Sequence, residues 1–166
     1  MDSYIEKTIL IHPLDSVKPD GILGFRIGDS MEEVFSRIKR LGLMSDIEIK
    51  ERKDTINEFE KDSDSKIINT GIGMFEEISR IDFVLNRRDV LNLIQVYFRF
   101  CLQTTPQQQV VLLTLKLSMY LGQPQNLLQN MYTWRCGNHN INLSYLTDFD
   151  MNNVPVLSFD NDQYMQ

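Results

Sequence analysis

Residues 78–101 read ISRIDFVLNRRDVLNLIQVYFRFC, and how this stretch is read decides the fold. Ile81, Phe83 and Leu85 alternate with Arg80, Asp82 and Val84. After the polar tetrapeptide Asn86 to Asp89, the apolar residues Val90, Ile94, Val96, Phe98 and Phe100 fall in step again. Period-two patterning on both sides of a polar turn predicts a long β-hairpin. Pairing Leu85 with Val90 sets Ile81 opposite Ile94 and gathers these apolar residues on one face. The same register sets Glu76 opposite Arg99 and Ile78 opposite Tyr97 on the other. A one-residue slip would turn Phe83, Val96 and Phe98 outward, so the register should be strongly specified.

The second face of the hairpin is the candidate protein-binding surface: Ile78, Arg80, Leu93, Gln95, Tyr97 and Arg99. It is too apolar for a face wholly in water and too charged for a sealed core. Partial cover by the Glu58–Lys66 region or by an N-terminal arm would account for it. So would an interface to a protein partner or to a second copy of the chain.

Outward from the hairpin, the chain reads as helix, strands, helix, strands. Ser30 and Glu33 form a capping box ahead of Met31, Val34, Phe35, Ile38 and Leu41 at helical spacing, and Gly42 supplies a left-handed stop. Glu32, Glu33, Arg37, Lys39 and Arg40 make the opposite side a solvated one, acid first and base last, as the helix dipole prefers. A second helix opens at Thr105, with Pro106 at its first position and Gln108 completing a capping box. Its stripe is Val110, Leu113, Leu117, Tyr120 and Leu121, widened by Val111, Leu112 and Leu115. Lys116 is its one charge, so this helix is expected to be covered on more than one side. Tyr132 to Cys136 and His139 to Leu146 flank a Gly137-Asn138 corner suited to a type II′ turn. Val154 to Phe159 forms a last strand.

The expected fold class is therefore α+β, with two helices packed on one face of a curved antiparallel sheet and the helix-then-strands order occurring twice. One domain is expected over residues 1–166, with an N-terminal arm (1–20), a mobile acidic loop (58–66) and a frayed tail (160–166).

Composition narrows the function. A net charge of −6 argues against nucleic acid, for which a basic stripe would be needed. An apolar fraction of 42% with nine Phe supports a real core. No apolar run approaches the roughly 18 residues of a membrane span. Met1 to Lys7 shows no secretory pattern, so a cytoplasmic protein is expected. Two cysteines, Cys101 and Cys136, are too few for a disulfide framework and read as thiols, with a single bridge open.

Nor does a catalytic motif stand out. Gly21, Gly24 and Gly28 lack phosphate-cradling spacing and read as turn residues. The acids of 58–66 lack the glycine and terminal Glu of a calcium loop. Cys136 and His139 face each other across a tight turn, yet zinc needs three or four ligands. A Cys–His nucleophile needs an orienting third group. No cofactor and no metal are expected. Trp134 reads as a core aromatic beneath the second helix, or else as a ring at a binding surface.

Two segments carry a family resemblance. Gly28-Asp29-Ser30-Met31-Glu32-Glu33-Val34 resembles the opening of the helix in small outer-membrane assembly lipoproteins. Leu121-Gly122-Gln123-Pro124, followed by Trp134, is similar to the segment after that helix in the same proteins. The element order also resembles the β-lactamase inhibitor protein. In this chain the two segments belong to different helices and the lipoprotein cysteine is absent, so the membrane role is not carried over. The resemblance implies helices on one face of a curved sheet, in proteins that bind proteins. The expectation is a non-catalytic protein-binding module, inhibitor, immunity or chaperone-like, using the second sheet face. The alternative is a small-molecule binder or enzyme with a pocket between helices and sheet.

Overall fold

The hairpin forms, two residues out of the expected register. In the computed structural model, which describes residues 13–43, 48–52, 65–71, 77–99, 103–128, 131–147 and 153–164, strand β5 is Ile78–Leu85 and β6 is Leu91–Phe98. Phe83 pairs with Ile94 and Ile81 with Val96. A shift of two keeps every side chain on its face, so Ile81, Phe83, Ile94 and Val96 are all fully buried. The turn causes the shift. The Asn86 side-chain oxygen accepts from the N–H groups of Arg88 and Val90, and its backbone carbonyl accepts from Asp89, whose φ of 58° is left-handed. Asn tolerates this chelated geometry well. Val90 is thereby spent on the turn and on a bridge to Ser30, and Leu91 takes its place opposite Leu85.

Among the described residues, ten strands and two helices follow in chain order. Strands β1 (Gly21–Ile22) and β2 (Phe25–Arg26) make a two-residue hairpin, and helix α1 is Met31–Leu41. Next come β3 (Glu48–Arg52), β4 (Ser65–Gly71), β5 and β6, then helix α2 (Pro106–Leu121). Strands β7 (Gln125–Leu128), β8 (Met131–Cys136), β9 (His139–Thr147) and β10 (Asn153–Asn161) complete the chain. The eight long strands form one antiparallel sheet in the order β3-β4-β5-β6-β10-β9-β8-β7. Each half is a helix followed by a four-strand meander, and the halves join last strand to last strand, at β6 and β10. The α+β class and the doubled order are as expected.

Both helices bury a stripe against the same sheet face. Val34 and Ile38 from α1, and Val110 and Leu117 from α2, lie in one cluster with Phe83, Ile94, Trp134, Leu143, Leu157 and Phe159. Ser30 caps α1 through a bond from the Glu33 N–H, and Gly42 ends it at φ 73°. Thr105 makes both arms of its capping box with Gln108. At the far end of α2, the Trp134 indole N–H donates to the Gly122 carbonyl at 2.9 Å while its ring is buried. Trp134 is therefore core, and it satisfies a carbonyl that the helix end leaves open.

The expected ends of the domain need correction. Residues 13–20 are no loose arm: Pro13–Ser16 forms a 3-10 turn, with Pro13, Leu14 and Val17 buried. The tail is tied down through residue 164. Asp160 and Asn161 belong to β10, and Asp162–Tyr164 is a second 3-10 turn. Arg135 meets Asp162 at 2.6 Å, Asn140 donates to both Asp160 and Asp162, and the Asp162 N–H donates to Asn138. Tyr164 packs beside Gly28, where φ is 104° and an added Cβ would lie 3.1 Å from the tyrosine hydroxyl. Of the expected acidic loop, Ser65 and Lys66 belong to β4, where Lys66 pairs with Asp89 at 3.0 Å. Residues 58–64, the arm up to residue 12 and residues 165–166 lie outside the described residues.

Candidate functional site

The sheet face singled out in the sequence is assembled, and largely turned in on itself. Arg80 and Tyr97 are paired neighbours, as are Asp82 and Gln95. The Arg80 guanidinium sits 4.1 Å over the Tyr97 ring, and its Nε lies 3.1 Å from the Asp82 carboxylate. The Tyr97 hydroxyl donates to Gln95. Arg80, Leu93, Gln95 and Tyr97 are half-buried and Arg99 is exposed. On the same face Val84, Val154 and Val156 are buried, the last two to 1% exposure. Cation and ring thus satisfy one another in place, and the apolar positions around them are out of water.

Ile78 does not belong to this surface. Between Ile78 and Arg80 the ladder slips, because Ser79 is an extra residue whose hydroxyl donates to the Tyr97 carbonyl. Ile78 therefore pairs with Phe98, not Tyr97, and is fully buried in the core. A second irregularity between Val84 and Leu85 turns Leu91 into the core as well. Arg99 uses its backbone N–H on the Glu77 carbonyl. Glu76, its expected partner, lies outside the described residues, as does Cys101.

Cys136 and His139 are opposed across the β8–β9 corner, and Asn161 pairs with His139 on the other side. The three lie side by side on adjacent strands, a Cys–His–Asn row. Its geometry does not make a relay. The Asn161 carbonyl oxygen accepts from the Gln163 N–H at 2.8 Å, leaving its amide NH2 facing both imidazole nitrogens at 3.1 and 3.3 Å. An orienting group for a thiol-activating imidazole must accept a ring N–H, and here a donor stands in that place. Cys136 is a free, half-buried thiol. Among the described residues no group of three metal-ligating side chains is found.

Among the described residues, the large apolar side chains that stand exposed are on α2. Thr114, Val110 and Leu117 face the core, but Val111, Leu112, Leu115 and Met119 are 49%, 59%, 65% and 79% exposed. The expectation that α2 is covered on more than one side is therefore corrected: among the described residues, it is covered on one. At about 100° per residue the four exposed side chains fall within one outward stripe, opposite the buried one. Nothing polar interrupts it. Ser118, at its margin, donates its hydroxyl to the Thr114 carbonyl, as Thr114 does to Val110. Tyr120, to one side of the stripe, donates to the Asp15 carboxylate, a bond that raises its pKa above the usual phenol value. The sequence signal was the run itself: between Arg99 and Arg135 the chain carries one charge, Lys116.

The equivalent side of α1 is charged, a shallow depression lined by Glu32, Glu33, Ser36, Arg37 and Arg40. No described helix is long and apolar enough to cross a membrane. Comparison with family models, with curated proteins and with solved structures finds no match.

Proposed function

We propose that this chain is a non-catalytic protein-binding module whose contact surface is the outward stripe of α2. A single observation carries the reading: Val111, Leu112, Leu115 and Met119 stand exposed in one uncharged row on a helix already anchored by its other side. Covering one such side chain returns on the order of 1–2 kcal/mol, and contiguous apolar patches of this kind are what protein partners cover. A membrane-surface helix would carry Lys and Arg along its polar side, and here Lys116 is the one charged residue of the helix in a chain of net charge −6. A cytoplasmic location belongs to the same proposal, and the free thiol of Cys136 supports it.

The sheet face is the competing surface, and paired variants separate the two. Leu112→Ser with Leu115→Ser strips the stripe, while Tyr97→Ala with Arg99→Ala strips the sheet face. Immobilised wild-type chain is expected to retain a protein from its source cell that the stripe pair loses and the sheet pair keeps. Equal melting temperatures confirm that the fold survives. Loss with the sheet pair alone would move the contact to the sheet and overturn the proposal.

A further inference from the structure

Resting on that reading of the stripe, we propose that its occupant is a second copy of the same chain, docked helix against helix, antiparallel, about a two-fold axis at Leu115. An isologous contact sets a surface against itself, so any charge on it meets its own like charge. The stripe is the part of this acidic chain that escapes that penalty. Lys116 is rotated about 100° from Leu115, off the stripe, and the flanking segments offer Gln and Asn in place of acids.

The stripe is also nearly symmetric about its centre. Leu112, Leu115 and Met119 follow the three-then-four spacing of a helix-pairing seam. With Leu115 on the axis, Leu115 meets Leu115 of the second copy. Four residues to either side Val111 meets Met119, and three to either side Leu112 meets Ser118. Ser118 brings no unpaired hydroxyl to that contact, because it is bonded to Thr114. Large side chains face small or flexible ones at every layer off the axis, which lets two such helices approach to about 8–10 Å. A stripe of four side chains is smaller than the roughly 800 Å² per partner of a stable interface, so the dimer is weak and concentration-dependent.

Sedimentation velocity on the full chain, across two decades of concentration, tests this with two opposite charges at the axis. Wild type is expected to pass from monomer to dimer mass as concentration rises. Leu115→Glu and Leu115→Lys are each expected to stay monomeric, since each repels its own copy. An equimolar mixture of the two is expected to recover the dimer. Leu115 is largely exposed, so both variants should keep wild-type melting curves; Met119→Glu and Met119→Lys serve as a second pair if either does not.

A wild type monomeric throughout overturns the second copy, and the stripe's role is then judged by the bait experiment above. A dimer unaffected by Leu115→Glu lies elsewhere on the molecule, and one not restored by mixing lacks this axis. Each of these results overturns the proposal. So does a monomer that instead co-sediments, through Leu115, with phosphatidylcholine vesicles, which would give the stripe to lipid.

Discussion

Helices α1 and α2 hold corresponding places in the two halves of the molecule. Each precedes a four-strand meander, each is capped at its start by a hydroxyl, and each buries a stripe in the shared core. They part company on the outside. α1 turns Glu32, Glu33, Lys39 and Arg40 to water, while α2 turns out Val111, Leu112, Leu115 and Met119. A helix held by one side needs no apolar residues on the other, and α1 shows the ordinary solution. What α2 carries beyond that is surplus to folding, which is why it points to function.

The comparison breaks first if the buried sides are not equivalent. Ile38→Ala in α1 and Leu117→Ala in α2 are both expected to cost about 2–5 kcal/mol in denaturant titrations. A loss below about 1 kcal/mol at Leu117 would mean that α2 is held by some other side. The caps come next. Ser30→Ala and Thr105→Ala should each cost about 1 kcal/mol, with Thr105 the larger because both arms of its box are made. The reverse order would show that Ser30 does more than cap.

A smaller, pH-dependent difference lies just ahead of α1, at Asp29. Burial raises the Asp29 pKa, opposed by the Arg26 N–H that its carboxylate accepts and assisted by Glu33. A raised carboxyl pKa means that the folded state binds the proton more tightly than the unfolded chain. The ionised form therefore costs stability at neutral pH, and the cost is relieved as pH falls through the folded pKa toward the ordinary value. Because the group is only partly buried and solvent screens it, Asp29→Asn should stabilise by only a few tenths of a kcal/mol at pH 7, with the gain gone by about pH 3. Equal gains at both pH values would remove burial of charge as the cause. The smallest effect is on the outer stripe, where Leu115→Ser should leave the melting of dilute monomer within about 0.5 kcal/mol of wild type.

Much of this was legible in the sequence, and the failures have identifiable causes. Faces were legible because alternation survives a two-residue shift; register was not, because Asn86 chelates its own turn and consumes Val90. The inward turn of Ile78 depends on Ser79 bonding to Tyr97, a contact made only once the strands are paired. The scarcity of charge on α2 was plain, but which side would be covered depends on distant β9 and β10. Val154 and Val156 on one face, with Leu157 and Phe159 on the other, form the near-continuous apolar run of a strand buried on both sides. Read that way, the run would have warned that the second sheet face is not open. Pro155 fits the same strand because the ladder to β6 begins one residue later, at Val156.

The seam between β6 and β10 gives the chain a property of its own. Five residue pairs, from Tyr97–Val156 to Leu93–Asp160, are the place where one half's innermost strand meets the other's. Divide the chain between Arg99 and Gln103, and each fragment keeps its helix and meander but gains a raw strand edge. Such edges seek a partner. The two fragments should therefore be insoluble or self-paired when expressed apart, and should recover the intact circular dichroism spectrum when co-expressed. Independent solubility of either fragment would show that its half folds without the seam.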